Sequence, residues 1–333
     1  MRIFLAIALK PRLLLLLAAL CAVPLAVRGD RFFAFVVGIT LINVLWTAGM
    51  NLLTGYTGLV PLVFAGIAGV SAYGTVALTM DHHWSFWLAM PVSALGAAIV
   101  GVLLGLPALR LRGFYFALSS LVIQTVVSLA FVYFSSFTNG DTGISQIGPP
   151  EIPFSGGAVF AGPSFELLLA AVAWLGVVGI WAITVSPFGK RLVAVREDDV
   201  LAEAVGIDVV GCKLLSFFIG SFYSGVGGAL YATYVGFISP RNFDLLSSLN
   251  IWLMVAFGGR GTIMGPIIGT AILAPMPFLL QQYDTLKDVV YGALIIAVIV
   301  MLPAGIYGEV KRRVTLSVRA HPGKRTLLAR VLQ

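Results

Sequence analysis

The sequence predicts an all-α, polytopic helical membrane protein, and three observations predict it: composition, the clustering of the charges and the length of the charge-free gaps. AVILMFWYC make up 59% of the 333 residues and charged side chains only 11%, against about 25% in an ordinary soluble domain. No Asp, Glu, Lys or Arg occurs over residues 32–80, 113–140, 167–189, 214–240 or 289–308. Each gap can hold a helix of about 20 residues, enough to cross a hydrocarbon core of about 30 Å. Barrel strands would alternate polar and apolar residues, and a helix satisfies its backbone hydrogen bonds within one segment, so helices are the expectation.

Helices are expected near 13–27, 32–53, 59–80, 85–108, 114–134, 165–185, 214–235, 245–257, 263–280 and 289–303, giving about eight to ten crossings. The first follows Arg2, Lys10 and Arg12 and has the look of a signal peptide, but is read as a retained helix within residues 1–31. Glycines at 55 and 58 divide the second from the third, the Asp81-His82-His83 loop the third from the fourth, and Arg110 with Arg112 the fourth from the fifth. The eighth is short for a crossing and reads as a half-helix. Together, residues 32–308 form the transmembrane domain and 309–333 a basic tail.

Orientation rests on Lys and Arg, which resist translocation. Arg110, Arg112, Lys190, Arg191, Arg196, Lys213 and the tail are placed in the cytoplasm, and the loop 135–164, which has no Lys or Arg, outside. Arg28 and Arg31 run against this scheme. The net charge of +7 is a tail effect, since residues 309–333 carry seven basic side chains and one acid. It suits an anchor on anionic membrane lipid, and no nucleic-acid partner is expected.

Several chemistries lack material. Cys21 and Cys212 form no CxxC motif, neither the Walker A pattern nor HExxH occurs, and the histidines are His82, His83 and His321 alone. No catalytic residue, metal site or cofactor is therefore expected in this chain. The spans offer mainly Asn43, Asn51, Gln124 and Asn250 as polar groups. Proton- or voltage-driven carriers keep ionisable residues in the membrane, so the energy for any transport is expected from outside the membrane part.

Two features stand apart. Residues 186–213 form a polar island between apolar spans, in which Asp199 can cap a short helix at Val200 and Gly206 can end it in a left-handed conformation. Barely two turns long, such a helix needs packing to persist, here by a partner protein, unless the stretch is a solvated connector that only sets topology. The second feature is a pair of glycine clusters, Gly55-Tyr56-Thr57-Gly58 and Gly258-Gly259-Arg260-Gly261-Thr262. Paired interruptions in two halves of a membrane chain point to an internal repeat and a translocation site, with Arg260 fixing the second turn; two tight turns are the simpler reading. Small residues such as Gly220, Ser224, Gly227 and Gly228 are expected at helix packing faces.

At the polar island the sequence resembles a known family. Glu203-Ala204, with Gly206 two residues on, resembles the coupling loop of ABC importer permeases, and the stretches 186–217, 228–240 and 258–270 resemble the LivM-type permease of branched-chain amino acid importers. Residues 51–58, 104–118 and 138–145 extend the likeness. The resemblance implies the ABC importer permease fold and a multi-pass protein of the bacterial inner membrane that imports branched-chain or other hydrophobic amino acids. It also implies a homologous second permease subunit, two cytoplasmic ATPase subunits that hold ATP and Mg, and a periplasmic solute-binding protein. Glu203, Ala204 and Gly206 would then belong to the helix that docks in an ATPase groove. Where the family carries Gln, Ser and His after its GYTG stretch, this chain has Leu59, Pro61 and Phe64. Urea, amides or another small solute stay open as cargo, and a secondary carrier or channel as a mechanism.

Overall fold

The computed structural model describes residues 20–22, 24, 30–109, 111, 113–152, 158–281, 292 and 305–309. Five helices among these are long and apolar enough to cross a membrane, and each begins or ends where the sequence supplies a reason. The first, α1 (Arg31–Asn51), starts where Asp30 accepts the Phe32 N–H at 2.8 Å, and runs on into a π-helical turn, Leu52–Thr57, that stops at Gly58 in the left-handed region (φ 79°). Pro61 follows, with no N–H to give a helix. Consequently α2 (Phe64–Val76, continued by a π turn at Ala77–Asp81) starts later than the expected 59–80.

Next come α3 (Phe86–Leu109), α4 (Phe114–Tyr133) and the single turn α5 (Ser135–Thr138). A two-residue strand, β1 (Ile144–Ser145), lies in the loop that leads to α6 (Pro163–Val185). Residues 186–208 fold as α7 (Pro187–Glu197) and α8 (Asp199–Ala204), and α9 (Val209–Val235) then crosses. After α9, β2 (Phe237–Ile238) pairs antiparallel with β1, Ile144 opposite Ile238. The chain turns inward through a 3₁₀ turn, Pro240–Phe243, into α10 (Leu245–Gly258), α11 (Met264–Leu273) and α12 (Met276–Leu279). Apart from residues 20–22, 24 and 292, the expected helices at 13–27 and 289–303 fall outside the described residues, as does the tail beyond Glu309.

Helix α9 is the hub, packed on α1, α2 and α3. The small residues on it meet neighbours as expected: Gly220 faces Leu53, Gly227 the Trp46 indole and Gly228 the Ala68 backbone, while the Ser224 hydroxyl donates to the Phe64 carbonyl at 2.6 Å. By contrast, α4 turns Val122, Val126 and Leu129 outward, with Phe114 and Tyr115 exposed at one end and Tyr133, Phe134 and Phe137 at the other. Apolar side chains between two aromatic belts are what a lipid-facing helix requires.

Because α6 runs from the 135–162 loop to the 186–208 region, these two regions lie at opposite ends of the bundle. In a background lacking Cys21 and Cys212, a membrane-impermeant maleimide should label Thr142→Cys on intact cells and Val205→Cys only after lysis. Labelling of both from the same side would overturn the orientation.

Candidate functional site

At the C-terminal end of α1 the π turn carries one residue more than an α-helical turn, which displaces carbonyls from their usual partners. The Thr57 hydroxyl donates to the Leu52 carbonyl at 3.0 Å, and half-buried Tyr56 packs against the cluster formed by Val177, Ile180 and Leu192. Gly55 receives help from far along the chain. Arg196 on α7 donates through Nη1 to the Gly55 carbonyl at 2.6 Å, and its guanidinium also pairs with Glu197.

The second glycine cluster is the junction between α10 and α11. Gly259 (φ 124°) and Gly261 (φ 72°) adopt left-handed conformations that admit glycine readily. Gly258 is different: it is helical, and a Cβ there would fall on the carbonyl of Gly265, so its role is close approach. Thr262 closes the turn, its hydroxyl donating to the Gly259 carbonyl (2.8 Å) and accepting the Gly265 N–H (3.1 Å). Arg260 is exposed, and the turn is fixed by Thr262 and Asn51 rather than by that guanidinium.

The two clusters expected to pair are in contact. Asn51 Oδ1 accepts the Gly261 N–H at 2.9 Å while its Nδ2 donates to the Thr262 carbonyl at 2.8 Å. A Cβ on Gly55 would run into the Gly261 backbone, and one on Gly58 would lie 2.9 Å from the Arg196 side chain. Asn51 was visible in the sequence as one of few polar residues in the spans. Arg196 looked like an ordinary topology charge, and no local signal marks its reach to Gly55, 141 positions away.

Arg196 belongs to the polar island, which is a folded unit rather than a loop. Ser186 caps α7 by accepting the Gly189 N–H, and Asp208 caps α9 by accepting the Gly211 N–H. The cap of α8 is Asp198, which accepts the Val200 and Leu201 N–H groups at 2.9 and 3.0 Å, and not Asp199 as expected. Asp199 instead turns inward and accepts a 2.6 Å bond from Lys213 on α9, the two side chains 17% and 8% exposed. Its neighbour Asp198 takes the cap because the register that buries Ala202 points Asp199 at Lys213. Gly206 ends the helix with φ 83°, as expected.

With Ala202 and Asp199 facing in, α8 presents Val200, Leu201, Glu203, Ala204 and Val205 to solvent. Nothing lies within 4 Å of a Cβ placed on Gly206. A cleft of about 380 Å³ beside it is lined by Leu109, Asp199, Glu203, Gly206, Asp208 and Lys213, among others. Val200, Leu201 and Val205 thus form an exposed apolar ridge on a tethered helix.

Residues 32–299 match the family described as the branched-chain amino acid transport system permease component. The chain belongs to that family. As members of it are transport permease subunits, this protein is a multi-pass membrane permease subunit of an ABC importer and not an enzyme; ATP hydrolysis in the family is carried out by separate ATPase components. It is 26% identical to the high-affinity branched-chain amino acid transport system permease protein LivM of Escherichia coli K12, over 95% of this chain and 79% of that one. The LivM protein of Salmonella typhimurium LT2 is 28% identical over 89% of this chain and 75% of its own. LivH of the same Salmonella strain is 24% identical over 78% of this chain and 89% of its own. No solved structure matches.

Proposed function

We propose that the chain carries branched-chain or other hydrophobic amino acids across the bacterial inner membrane, beside a homologous second permease subunit. Two ATPase subunits bind ATP and Mg in the cytoplasm, and a periplasmic binding protein delivers the solute. The observation that carries this reading is α8: an apolar ridge held on the permease by Ala202 and by the Asp199–Lys213 pair. The names of the LivM and LivH relatives support the cargo and the second permease. Leu59, Pro61 and Phe64 are buried in the bundle, so the segment after Gly58 packs rather than offering polar groups to a solute.

In this reading, ATPase motion reaches the bundle by two routes. Through Asp199 and Lys213 it enters α9. Through α7 and Arg196 it reaches the π turn of α1 and the Gly258–Thr262 junction behind it. These glycine contacts would form the inner end of the solute path, which a movement of α7 could open.

Docking is testable at single residues. Leu201→Asp, 63% exposed in this chain, should leave the permease folded and reduce co-purification of the ATPases at least tenfold, the effect of losing an interface anchor worth about 2 kcal/mol. Glu203→Ala should change it less, because a rim charge is worth about 1 kcal/mol or below. Unchanged ATPase binding and solute-stimulated ATP hydrolysis in Leu201→Asp would remove α8 as the docking element.

A further inference from the structure

Two helices begin part-way through the bundle rather than at its surface, and two side chains, Ser248 and Gln124, join their starts. The first is α2, which begins at Phe64 beside Ser224, about midway along α9; the second is α10, which follows the inward turn at Pro240–Phe243. The N–H groups at such a start have no helical partners, and lipid offers none. Leu62 N–H donates to the Ser120 hydroxyl (3.0 Å), Ala65 N–H to the Ser248 hydroxyl (2.9 Å) and Gly66 N–H to Gln124 Oε1 (2.9 Å).

Gln124, fully buried on α4, does more than cap. Its Nε2 donates to the Phe243 carbonyl at 2.8 Å and to Ser128 at 3.1 Å, so one amide spans the first turn of α2 and the residue before the cap of α10. The Phe243 ring is clamped as well, against Tyr73 and Tyr231 with centroids 6.4 and 5.7 Å away. Ser120 makes a useful contrast, since it caps the stretch before α2 but has no bond to the α10 segment.

We infer that Gln124 is a positioning residue for transport, a brace that fixes the depth of the α10 start against the α2 start so that the two broken helices move together. Asn51 holds the other end of α10 through the Gly261–Thr262 backbone. With both ends held, α10 transmits displacement from the inner junction to the middle of the bundle; with the brace gone, the Ser248–Ala65 bond is the hydrogen bond left between the two starts, and the upper end slips as the inner end moves.

The test uses the complete transporter in vesicles, with radiolabelled leucine as the probe, and to that extent rests on the proposed cargo. Gln124→Met keeps the shape and loses all three bonds of the amide. Its maximal uptake rate should fall about tenfold, as expected for stranding buried polar groups, with the half-saturating leucine concentration, the yield of assembled complex and ATP hydrolysis without solute unchanged. Ser120→Ala should transport nearly normally. Wild-type rates in Gln124→Met, a fall that merely follows complex yield, or an equal fall in Ser120→Ala would each overturn the brace. Should Gln124→Met fail to assemble, Gln124→Asn, which is too short to reach both partners, takes its place with the same expectations. Wild-type vesicles that accumulate no leucine would count against the cargo alone. In that case amide exchange over residues 240–247 decides: faster in Gln124→Met than in Ser120→Ala supports the brace, and equal rates overturn it.

Discussion

Replacing Gly258 by valine should reduce uptake by reconstituted vesicles at least tenfold, and Gly258→Ala should be nearly as harmful. The reason is the position of the first added atom: a Cβ on Gly258 meets the Gly265 carbonyl, with the Gly269 backbone 3.0 Å away. Neither obstacle is a flexible side chain that can step aside. Overpacking typically costs about 1–3 kcal/mol, and here the strain separates α10 from α11 and drags the Gly261–Thr262 backbone off Asn51. Gly96 on α3 supplies the control, since nothing lies within 4 Å of a Cβ there; Gly96→Ala should leave uptake intact and stabilise the protein slightly. Normal uptake by Gly258→Ala would show that α10 and α11 separate freely and that the junction is no constraint on transport.

Lys213→Met should release α8 from the bundle. Methionine fills the space of the lysine stem, but the Asp199 carboxylate, 17% exposed, then keeps its charge without the cation 2.6 Å away. Removing one partner of a buried ion pair costs about 3–5 kcal/mol, and the remaining exposure of Asp199 argues for the lower end. That cost falls on a two-turn element with one buried anchor, Ala202. Faster amide exchange over residues 199–206 and loss of solute-stimulated ATP hydrolysis are the expected results. Asp199→Asn combined with Lys213→Met strands no charge, so the double variant should be milder than Lys213→Met alone. If both behave alike, the pair contributes through packing and not through its charges.

Charge-free gaps, with the Asp81–His83 and Arg110–Arg112 breaks that set off Phe86–Leu109, made five crossings legible to within about five residues, because lipid imposes a length and a composition on any helix that spans it. The short eighth segment was legible for the same reason, being too brief to cross. What the sequence concealed were contacts between segments. The two glycine clusters could be suspected as a pair from pattern alone, but their meeting depends on Asn51, whose partners lie 210 and 211 positions away. Gln124 stood out as a polar residue in an apolar helix without any hint that it bonds to Gly66 and Phe243. Asp198 and Asp199 were not separable, since either aspartate can cap a helix and only the presence of Lys213 on the facing helix assigns them different duties.

The packing that a helix as short as α8 requires was expected from a partner, yet this chain supplies it. Ser186, Asp198 and Asp208 close the first turns of α7, α8 and α9 in succession, and Ala202 and Lys213 seat α8 without help. On the proposed docking, an ATPase would meet a surface whose shape already exists, and its association would be spared the entropy of ordering a disordered segment, about 1–2 kcal/mol per residue for the backbone. Under that proposal assembly would proceed in either order: a permease inserted ahead of its ATPases would hold its docking element ready, and loss of an ATPase would leave that element folded for the next one.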